Sequence, residues 1–181
     1  MFARTERLLL RPGWIEDASQ LAQAISHQSI STNLAANHWP GSHTDAESWL
    51  CRVHGNLLPR LLIFSRTREA PKLVGGAGLH RVGDGAVELD VWITPEARGA
   101  GFAAEAAHAM IDIANTIGIG RLSARVFSEN AAAIRLLVKL GFAPLERLSQ
   151  RSGDGDALLP AIRFMRRLDA HAGGSTPLLA A

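Results

Sequence analysis

Arg98-Gly99-Ala100-Gly101-Phe102-Ala103 is the stretch that constrains the fold most, because it joins a predicted strand to a predicted helix. The strand spans Ala86 to Thr94, with alternating apolar residues, and the helix spans Ala103 to Ile117, with apolar residues on one face. N–H groups at a helix N-terminus point outward, and the helix dipole favours negative charge there. Gly99 and Gly101 let the backbone approach phosphate oxygens without an intervening Cβ. The stretch therefore predicts an anion site.

Two other interpretations of this stretch compete. It could be an ordinary tight turn in which the glycines adopt a positive φ. Gly99 to Ala104 also matches the dinucleotide pattern G-x-G-x-x-G/A, which requires an acidic residue about 20 residues later. The sequence has Arg121 there, and no Asp or Glu occurs between Asp112 and Glu129. The dinucleotide interpretation is therefore disfavoured, whereas an ordinary tight turn is still a possible interpretation.

Outward from the loop, apolar periodicity and turn residues predict the other elements. Further strands are predicted at Thr5–Leu10, Leu61–Ser65, Lys72–His80, Arg121–Phe127, Phe142–Gln150 and Ala161–Asp169. Further helices are predicted at Glu16–Ile25, Thr44–His54 (with a capping box from Thr44 to Glu47) and Ala131–Leu140. The early strands form a meander and the later ones surround helices, which favours a mixed α+β sheet.

Composition sets the class of protein. With 47% hydrophobic and 20% charged residues, the chain is typical of a globular domain, and a net charge of +2 gives no nucleic-acid footprint. No apolar run is long enough for a membrane span, and no signal peptide is expected. Cys51 is the single cysteine, which fits a reducing cytoplasm. We expect one domain over residues 1–169, followed by a disordered tail over 170–181.

Several motifs, in order, resemble those of the GNAT superfamily of acyl-CoA-dependent N-acyltransferases. The loop Arg98 to Ala103 matches that family's phosphate loop, Q/R-x-x-G-x-G/A. The other motifs resemble the branch of ribosomal-protein N-terminal acetyltransferases: Thr5–Pro12, Leu73–Gly75 with Gly78–His80, Glu88–Ile93, Asn130–Arg135 and Lys139–Phe142. The resemblance covers roughly residues 5 to 168 and is strong because the motifs occur in the family's order and spacing.

The resemblance implies an α+β fold whose mixed, mainly antiparallel sheet splays between strands four and five, with helices on both faces. It implies acetyl-CoA as co-substrate and no metal. The pantetheine arm would pair with the backbone of Trp92 and Ile93. The cofactor-binding residues implied are Trp92, Ile93, Arg98, Gly99, Ala100, Gly101, Phe102, Ala103, Asn130 and Arg135. Asn130 could equally serve as a helix N-cap, and both roles are compatible.

Acidic residues are the candidates for proton transfer. The chain has no tyrosine, and Ala133 stands where the family often has a serine, so two common hydroxyl groups are missing. Glu88 and Asp90 lie two apart on one strand and share a face with Trp92. Glu88 could deprotonate an amine directly or through water, Asp90 is the second candidate, and each could raise the pKa of the other. A solvated strand face, or a pair that only binds a cation, is the alternative.

His80 is expected to be structural. By the resemblance, Trp39 flanks the loop that helps form the acceptor side, but Trp39 and Trp49 could equally be core anchors. The histidines around Trp39 are not expected to form a metal site. The predicted function is transfer of an acetyl group to a primary amine by direct attack in a ternary complex. The branch resemblance favours a protein or peptide N-terminus as acceptor. A small-molecule amine and a non-catalytic acyl-CoA-binding module are the alternatives. The chain is expected to be a monomer or a homodimer, without nucleic-acid or membrane partners.

Overall fold

A single mixed sheet organises the chain in a computed structural model, which describes residues 1–33, 39–40, 43–51, 58–66, 70–83, 85–152 and 157–168. Its strands are β1 (Ala3–Arg4), β2 (Leu8–Arg11), β3 (Arg60–Ser65), β4 (Lys72–Arg81), β5 (Val87–Ile93), β6 (Arg121–Phe127), β7 (Ala143–Arg151) and β8 (Leu158–Arg167). The helices are α1 (Ala18–Ile25), α2 (Gln28–Ser31), α3 (His43–Cys51), α4 (Phe102–Thr116) and α5 (Ala131–Lys139). None of the helices in these ranges is long and apolar enough to cross a membrane.

The strand order is β1-β2-β3-β4-β5-β6-β8-β7. Every neighbouring pair is antiparallel except β5 and β6, which are parallel and are connected through α4. A parallel pair requires such a crossover, because a tight hairpin can only join antiparallel strands. The mixed, mainly antiparallel sheet that the resemblance implied is thus confirmed.

The two faces of the sheet are covered by different helices. Helix α4 packs against β2, β4 and β5, and its buried side chains join the larger hydrophobic cluster, which includes Leu89 and Ile93. Trp92 belongs to the smaller cluster, with Trp39, Trp49 and residues of α1. Since successive residues of a strand point to opposite faces, the smaller cluster lies on the other side of the sheet. We call the side that carries Trp92 the tryptophan face.

Most predicted elements form, with shifted ends. The strand predicted at Thr5–Leu10 is instead β1 and β2, because the Thr5 N–H donates to the Leu8 carbonyl at 3.0 Å and closes a turn. The short helix α2 was not predicted, and β8 begins three residues before Ala161. The helix predicted from Thr44 begins at His43 and is described only to Cys51, and the Thr44 side chain of the capping box lies outside the described residues. So does the tail predicted to be disordered.

Candidate active site

The strands β5 and β6 part shortly after they meet. Their parallel pairing consists of Val87 with Leu122 and Glu88 with Ser123. Beyond this point β6 keeps pairing with β8 as far as Phe127, whereas β5 pairs on one side only, with β4. About five residues of β5, some 16 Å of strand, therefore border an open gap. The splay that the resemblance placed between its fourth and fifth strands lies here, because β1 adds one to the strand count.

The register of β4 and β5 determines which backbone groups face the gap. The Thr94 N–H donates to the Val74 carbonyl at 2.8 Å, and hydrogen-bonded positions alternate along an antiparallel pair. The backbone N–H and carbonyl of Trp92 are therefore hydrogen-bonded to Gly76 of β4. Val91 and Ile93 direct theirs into the gap. Of the two residues predicted to pair with pantetheine, Ile93 lies on the open edge together with Val91, whereas the backbone groups of Trp92 face β4.

The glycine loop ends at the N-terminus of α4, beside this gap. Gly99 and Gly101 have φ values of 79° and 83°, which side-chain-bearing residues adopt only with strain. Gly101 is the N-cap and no side chain caps the helix, so its first-turn N–H groups are available to an anion. Phe102 and Ala103 open the helix and are half-buried against the larger cluster.

A residue outside the predicted set fixes this loop. The Arg7 guanidinium donates to the Ala100 carbonyl at 2.7 Å and lies 5.0 Å above the Phe102 ring. It also pairs with Glu105 at 2.7 Å. Burial raises the pKa of Glu105, but hydrogen bonds from Thr5 and Arg7 outweigh it and leave that pKa below its ordinary value. Arg7 thus balances an acidic charge that would otherwise repel a phosphate at the helix N-terminus.

The other predicted cofactor residues surround the gap. The Arg98 side chain donates to the Ile93 carbonyl at 3.3 Å and to Ser29 Oγ at 2.9 Å, so it joins the end of β5 to α2. Asn130 is the N-cap of α5, as predicted, and accepts from the Ala133 N–H at 3.1 Å. Arg135 is exposed on α5. Arg98 and Asn130 therefore have structural roles that are compatible with ligand contacts.

Glu88 lies on the tryptophan face as a buried ion pair. Both of its carboxylate oxygens accept from Arg125 Nε, at 2.7 and 2.9 Å, and its side chain is 4% exposed. Burial is the largest influence and raises the pKa of Glu88, but hydrogen bonds and charges from His80 and Arg125 leave it below its ordinary value. A mutual increase in pKa is thus wrong for Glu88. A carboxylate so paired is a weak proton acceptor.

The pKa of Asp90 shifts in the opposite direction to that of Glu88. Burial raises the pKa of Asp90 above its ordinary value, and the negative charge of Glu88 adds to this. The charges of His80 and Arg60 and a 2.9 Å hydrogen bond from Trp39 Nε1 lower that pKa but do not cancel the increase. For Asp90 the predicted increase is therefore confirmed. Its side chain is 22% exposed, so it can meet solvent or a substrate.

His80 stands between the two carboxylates, with Nε2 3.6 Å from Glu88 and Nδ1 3.8 Å from Asp90. The predicted strand ended at His80, and β4 continues one residue further, to Arg81. His80 lies directly opposite Glu88. Arg125 was missed altogether. The available signal was an arginine inside an otherwise apolar strand, because such strands rarely carry an unpaired charge.

Trp39 and Trp49 are core residues, which is one of the two interpretations that the sequence left open. Trp39 and Trp49 are each 6% exposed and stack with ring centroids 5.2 Å apart. Trp39 also meets Trp92 edge to face, at 5.4 Å. Among the residues that the structure describes, no three His, Cys, Asp or Glu side chains form a metal-binding group.

A protein-family model, the acetyltransferase (GNAT) domain, matches residues 7–143. No curated protein matches the sequence significantly. Solved structures give the same fold at low identity. One is an acetyltransferase of the GNAT family from Bacillus anthracis, with 19% identity, a TM-score of 0.76 and coverage of 92% of this chain and 98% of the other.

Two other structural neighbours have names that point to different biological roles. A ribosomal-protein-S5-alanine acetyltransferase from Vibrio fischeri has 16% identity, a TM-score of 0.76 and coverage of 93% of this chain and 97% of the other. A microcin C7 self-immunity acetyltransferase, solved with acetyl-CoA and AMP, has 14% identity, a TM-score of 0.73 and coverage of 91% and 94%. At such identities the likeness establishes the fold.

Proposed function

The chain belongs to the GNAT acetyltransferase family, and from this we propose that it moves an acetyl group from acetyl-CoA to the α-amine of a peptide or protein N-terminus. The observation that carries the proposal is the gap between β5 and β6, which opens beside an uncapped helix N-terminus. A thioester with a phosphate-bearing handle fits both features. The microcin C7 neighbour, solved with acetyl-CoA, supports this choice of donor.

The glycine loop and the β5 edge would hold the donor. First-turn amides of α4 would bind the pyrophosphate, with Arg7 keeping the loop in place. The N–H groups of Val91 and Ile93 would bind the pantetheine arm and stabilise negative charge developing on the thioester oxygen. Arg135, exposed on α5, would bind an outer phosphate. Gly99, Ala100, Gly101, Phe102 and Ala103 supply backbone rather than side-chain contacts.

Asp90 is the proposed general base. It would take one proton from the acceptor ammonium, leaving a neutral amine that attacks the thioester carbonyl carbon. The C–N bond forms and the C–S bond breaks, and the second amine proton reaches the departing thiolate through water. Glu88 would position the site through Arg125 and His80 rather than accept the proton, because its pKa is lowered.

A peptide N-terminus is favoured as acceptor by two observations. The Asp90 carboxylate, which is 22% exposed and lies next to a Glu88 that is already paired with Arg125, suits an ammonium group. The Vibrio fischeri neighbour is by its name a ribosomal-protein acetyltransferase with the same fold. A small-molecule amine is the second candidate, because the microcin C7 neighbour, which was solved with AMP as well as acetyl-CoA, has a similar TM-score of 0.73.

A thiol-release assay tests the proposal. Purified protein and acetyl-CoA are mixed with a panel of short peptides with free N-termini, the same peptides with blocked N-termini, polyamines and amino acids. Release that requires a free peptide N-terminus is expected. Thiol release with small amines only would show that the acceptor is a small molecule rather than a peptide N-terminus. Acetyl-CoA binding without thiol release on any acceptor would indicate a binding module.

A further inference from the structure

The short helix α2 connects the two parts into which the gap divides the sheet. We call β1 to β5 the first arm, and β6, β8 and β7 the second arm; two residue pairs join β5 to β6. Helix α2 packs on the tryptophan face through Ile30, which is 2% exposed and belongs to the smaller hydrophobic cluster. Residues on either side of Ile30 are hydrogen-bonded to both arms, beyond the point where β5 and β6 part.

The contact with the first arm is made by Arg98, which follows β5. Its Nε donates to the Ile93 carbonyl at 3.3 Å. Its Nη2 donates to the Ser29 carbonyl at 3.3 Å and to Ser29 Oγ at 2.9 Å. Because the donors of a guanidinium have a fixed geometry, this one side chain ties the end of β5 to α2.

Two contacts hold α2 to the second arm. Asn130, which follows β6 and caps α5, donates from Nδ2 to Asn33 Oδ1 at 3.0 Å. Ser152, which follows β7 and is 5% exposed, donates from Oγ to the Thr32 carbonyl at 3.0 Å. The residues that end α2 are therefore anchored on the opposite side of the gap from Arg98.

These contacts form a chain of hydrogen bonds across the open end of the gap. Asn33 Nδ2 donates at 3.2 Å to the Ser29 carbonyl, which also accepts from Arg98. The chain thus runs from Ile93 through α2 to Asn130. Ser29 and Asn33 are four residues apart, which is about 6 Å along a helix. Because β5 and β6 pair at the closed end of the gap, a short bridge at its open end restricts the angle between the arms.

We propose that α2 is a bridge that sets the width of the gap for the donor, with Ser29, Asn33 and Ser152 as positioning residues that do not contact the donor themselves. This rests on the proposed acetyl transfer, in which the donor meets the glycine loop of the first arm and α5 of the second. A ligand held by both arms binds more tightly when their separation is fixed in advance, because less conformational freedom is lost on binding. Loosening the bridge therefore weakens donor binding and leaves the turnover of bound donor near that of the wild type.

The test measures the dissociation constant of coenzyme A by calorimetry, and kcat and the KM for acetyl-CoA by thiol release. The double variant Asn33→Ala/Ser152→Ala removes both side-chain contacts with the second arm. Ser31→Ala is the control, because the Ser31 hydroxyl donates within α2, to the Gln28 carbonyl at 3.2 Å. The double variant should raise the dissociation constant and KM about 3- to 10-fold and change kcat by less than about twofold. Ser31→Ala should keep the wild-type values.

A third substitution separates a bridge from direct contact with the donor. Ser29→Ala removes the Ser29 hydroxyl that binds the first arm, so on its own it should also weaken coenzyme A binding. Added to the double variant, it should cost little more affinity, because α2 is already released from the second arm. Side chains that touched the donor independently would give additive losses. Asn33 is exposed, so Asn33→Ala alone provides a second variant if the buried Ser152→Ala does not fold.

Wild-type affinity for coenzyme A in Asn33→Ala and in the double variant overturns the bridge. So does a loss from Ser29→Ala that is as large in the double variant as in the otherwise wild-type protein, or a fall in kcat with unchanged KM and dissociation constant. In each of these cases, thiol release by the wild type leaves the proposed acetyl transfer intact. A wild-type protein that binds no coenzyme A overturns both proposals.

Discussion

Removing Arg125 should destabilise the fold much more than removing another arginine of equal exposure. The Glu88 side chain is 4% exposed and its oxygens lie 2.7 and 2.9 Å from Arg125 Nε. Arg125→Met would remove the cation closest to this buried carboxylate and leave it beside His80, whose Nε2 is 3.6 Å away, which costs about 3–5 kcal/mol. This is a large fraction of a typical domain stability of about 5–15 kcal/mol.

Arg163→Met is the matched control. Arg163 is also 22% exposed, like Arg125, but its partner Glu146 is 49% exposed. The loss there should be about 1 kcal/mol or less, because solvent screens the pair. Urea denaturation at neutral pH, with a constant m-value, measures both variants.

The charge of Glu88 is the cause, so neutralising it should restore stability. Arg125→Met combined with Glu88→Gln should be more stable than Arg125→Met alone by about 2 kcal/mol. Lowering the pH should also reduce the difference in unfolding free energy between the wild type and Arg125→Met. In the wild type the lowered pKa of Glu88 adds stability above its ordinary value of 4.5, and this is lost as pH falls through the lowered pKa. Equal losses of unfolding free energy in the two arginine variants would contradict the role of the buried Glu88 charge. So would a double variant whose loss is the sum of the losses of its two single substitutions.

Two other substitutions test the proposed base and the glycine loop. Asp90→Asn should abolish most turnover and remove the acidic limb of the kcat/KM profile, because Asp90 must be ionised and its raised pKa moves that limb upward. Asp90→Asn should also raise the melting temperature at neutral pH. The raised pKa of Asp90 stabilises the fold only while the carboxyl is protonated, and this stability is lost as the pH rises through that pKa. An acidic limb that persists in Asp90→Asn would exclude Asp90 as the base. Gly101→Ala should lose about 1–2 kcal/mol and weaken acetyl-CoA binding in calorimetry, because φ is 83° and a Cβ would lie 3.3 Å from Arg7. Gly118 lies at the other end of α4 and has a similar φ of 80°, so Gly118→Ala should lose similar stability but keep the affinity for acetyl-CoA. Equal affinities for acetyl-CoA in the two variants would contradict the loop's role.

Local sequence signals were sufficient for the elements around the gap. The glycine loop, the periodicity of α4 and the N-cap at Asn130 each depend on neighbouring residues, and each forms as predicted. The turn at Thr5 was missed because it depends on two hydrogen bonds, from the Leu8 N–H to the Thr5 hydroxyl and from the Thr5 N–H to the Leu8 carbonyl. Such a turn leaves no periodic trace.

The electrostatics of the site depend on distant pairings that no local pattern encodes. Arg125 meets Glu88 only because the parallel register places Ser123 beside Glu88, across a crossover helix. Trp39 reaches Asp90 from a segment 51 residues away. The sequence therefore predicted two carboxylates on one face, whereas the pairing decides which of them has the raised pKa.

A crystal structure of the protein with bound coenzyme A tests the proposed donor site most directly. The pyrophosphate should lie on the backbone N–H groups between Gly99 and the first turn of α4. The pantetheine arm should lie in the β5–β6 gap, hydrogen-bonded to Val91 and Ile93. Coenzyme A bound elsewhere, with the gap closed or the loop empty, would contradict the proposed donor site.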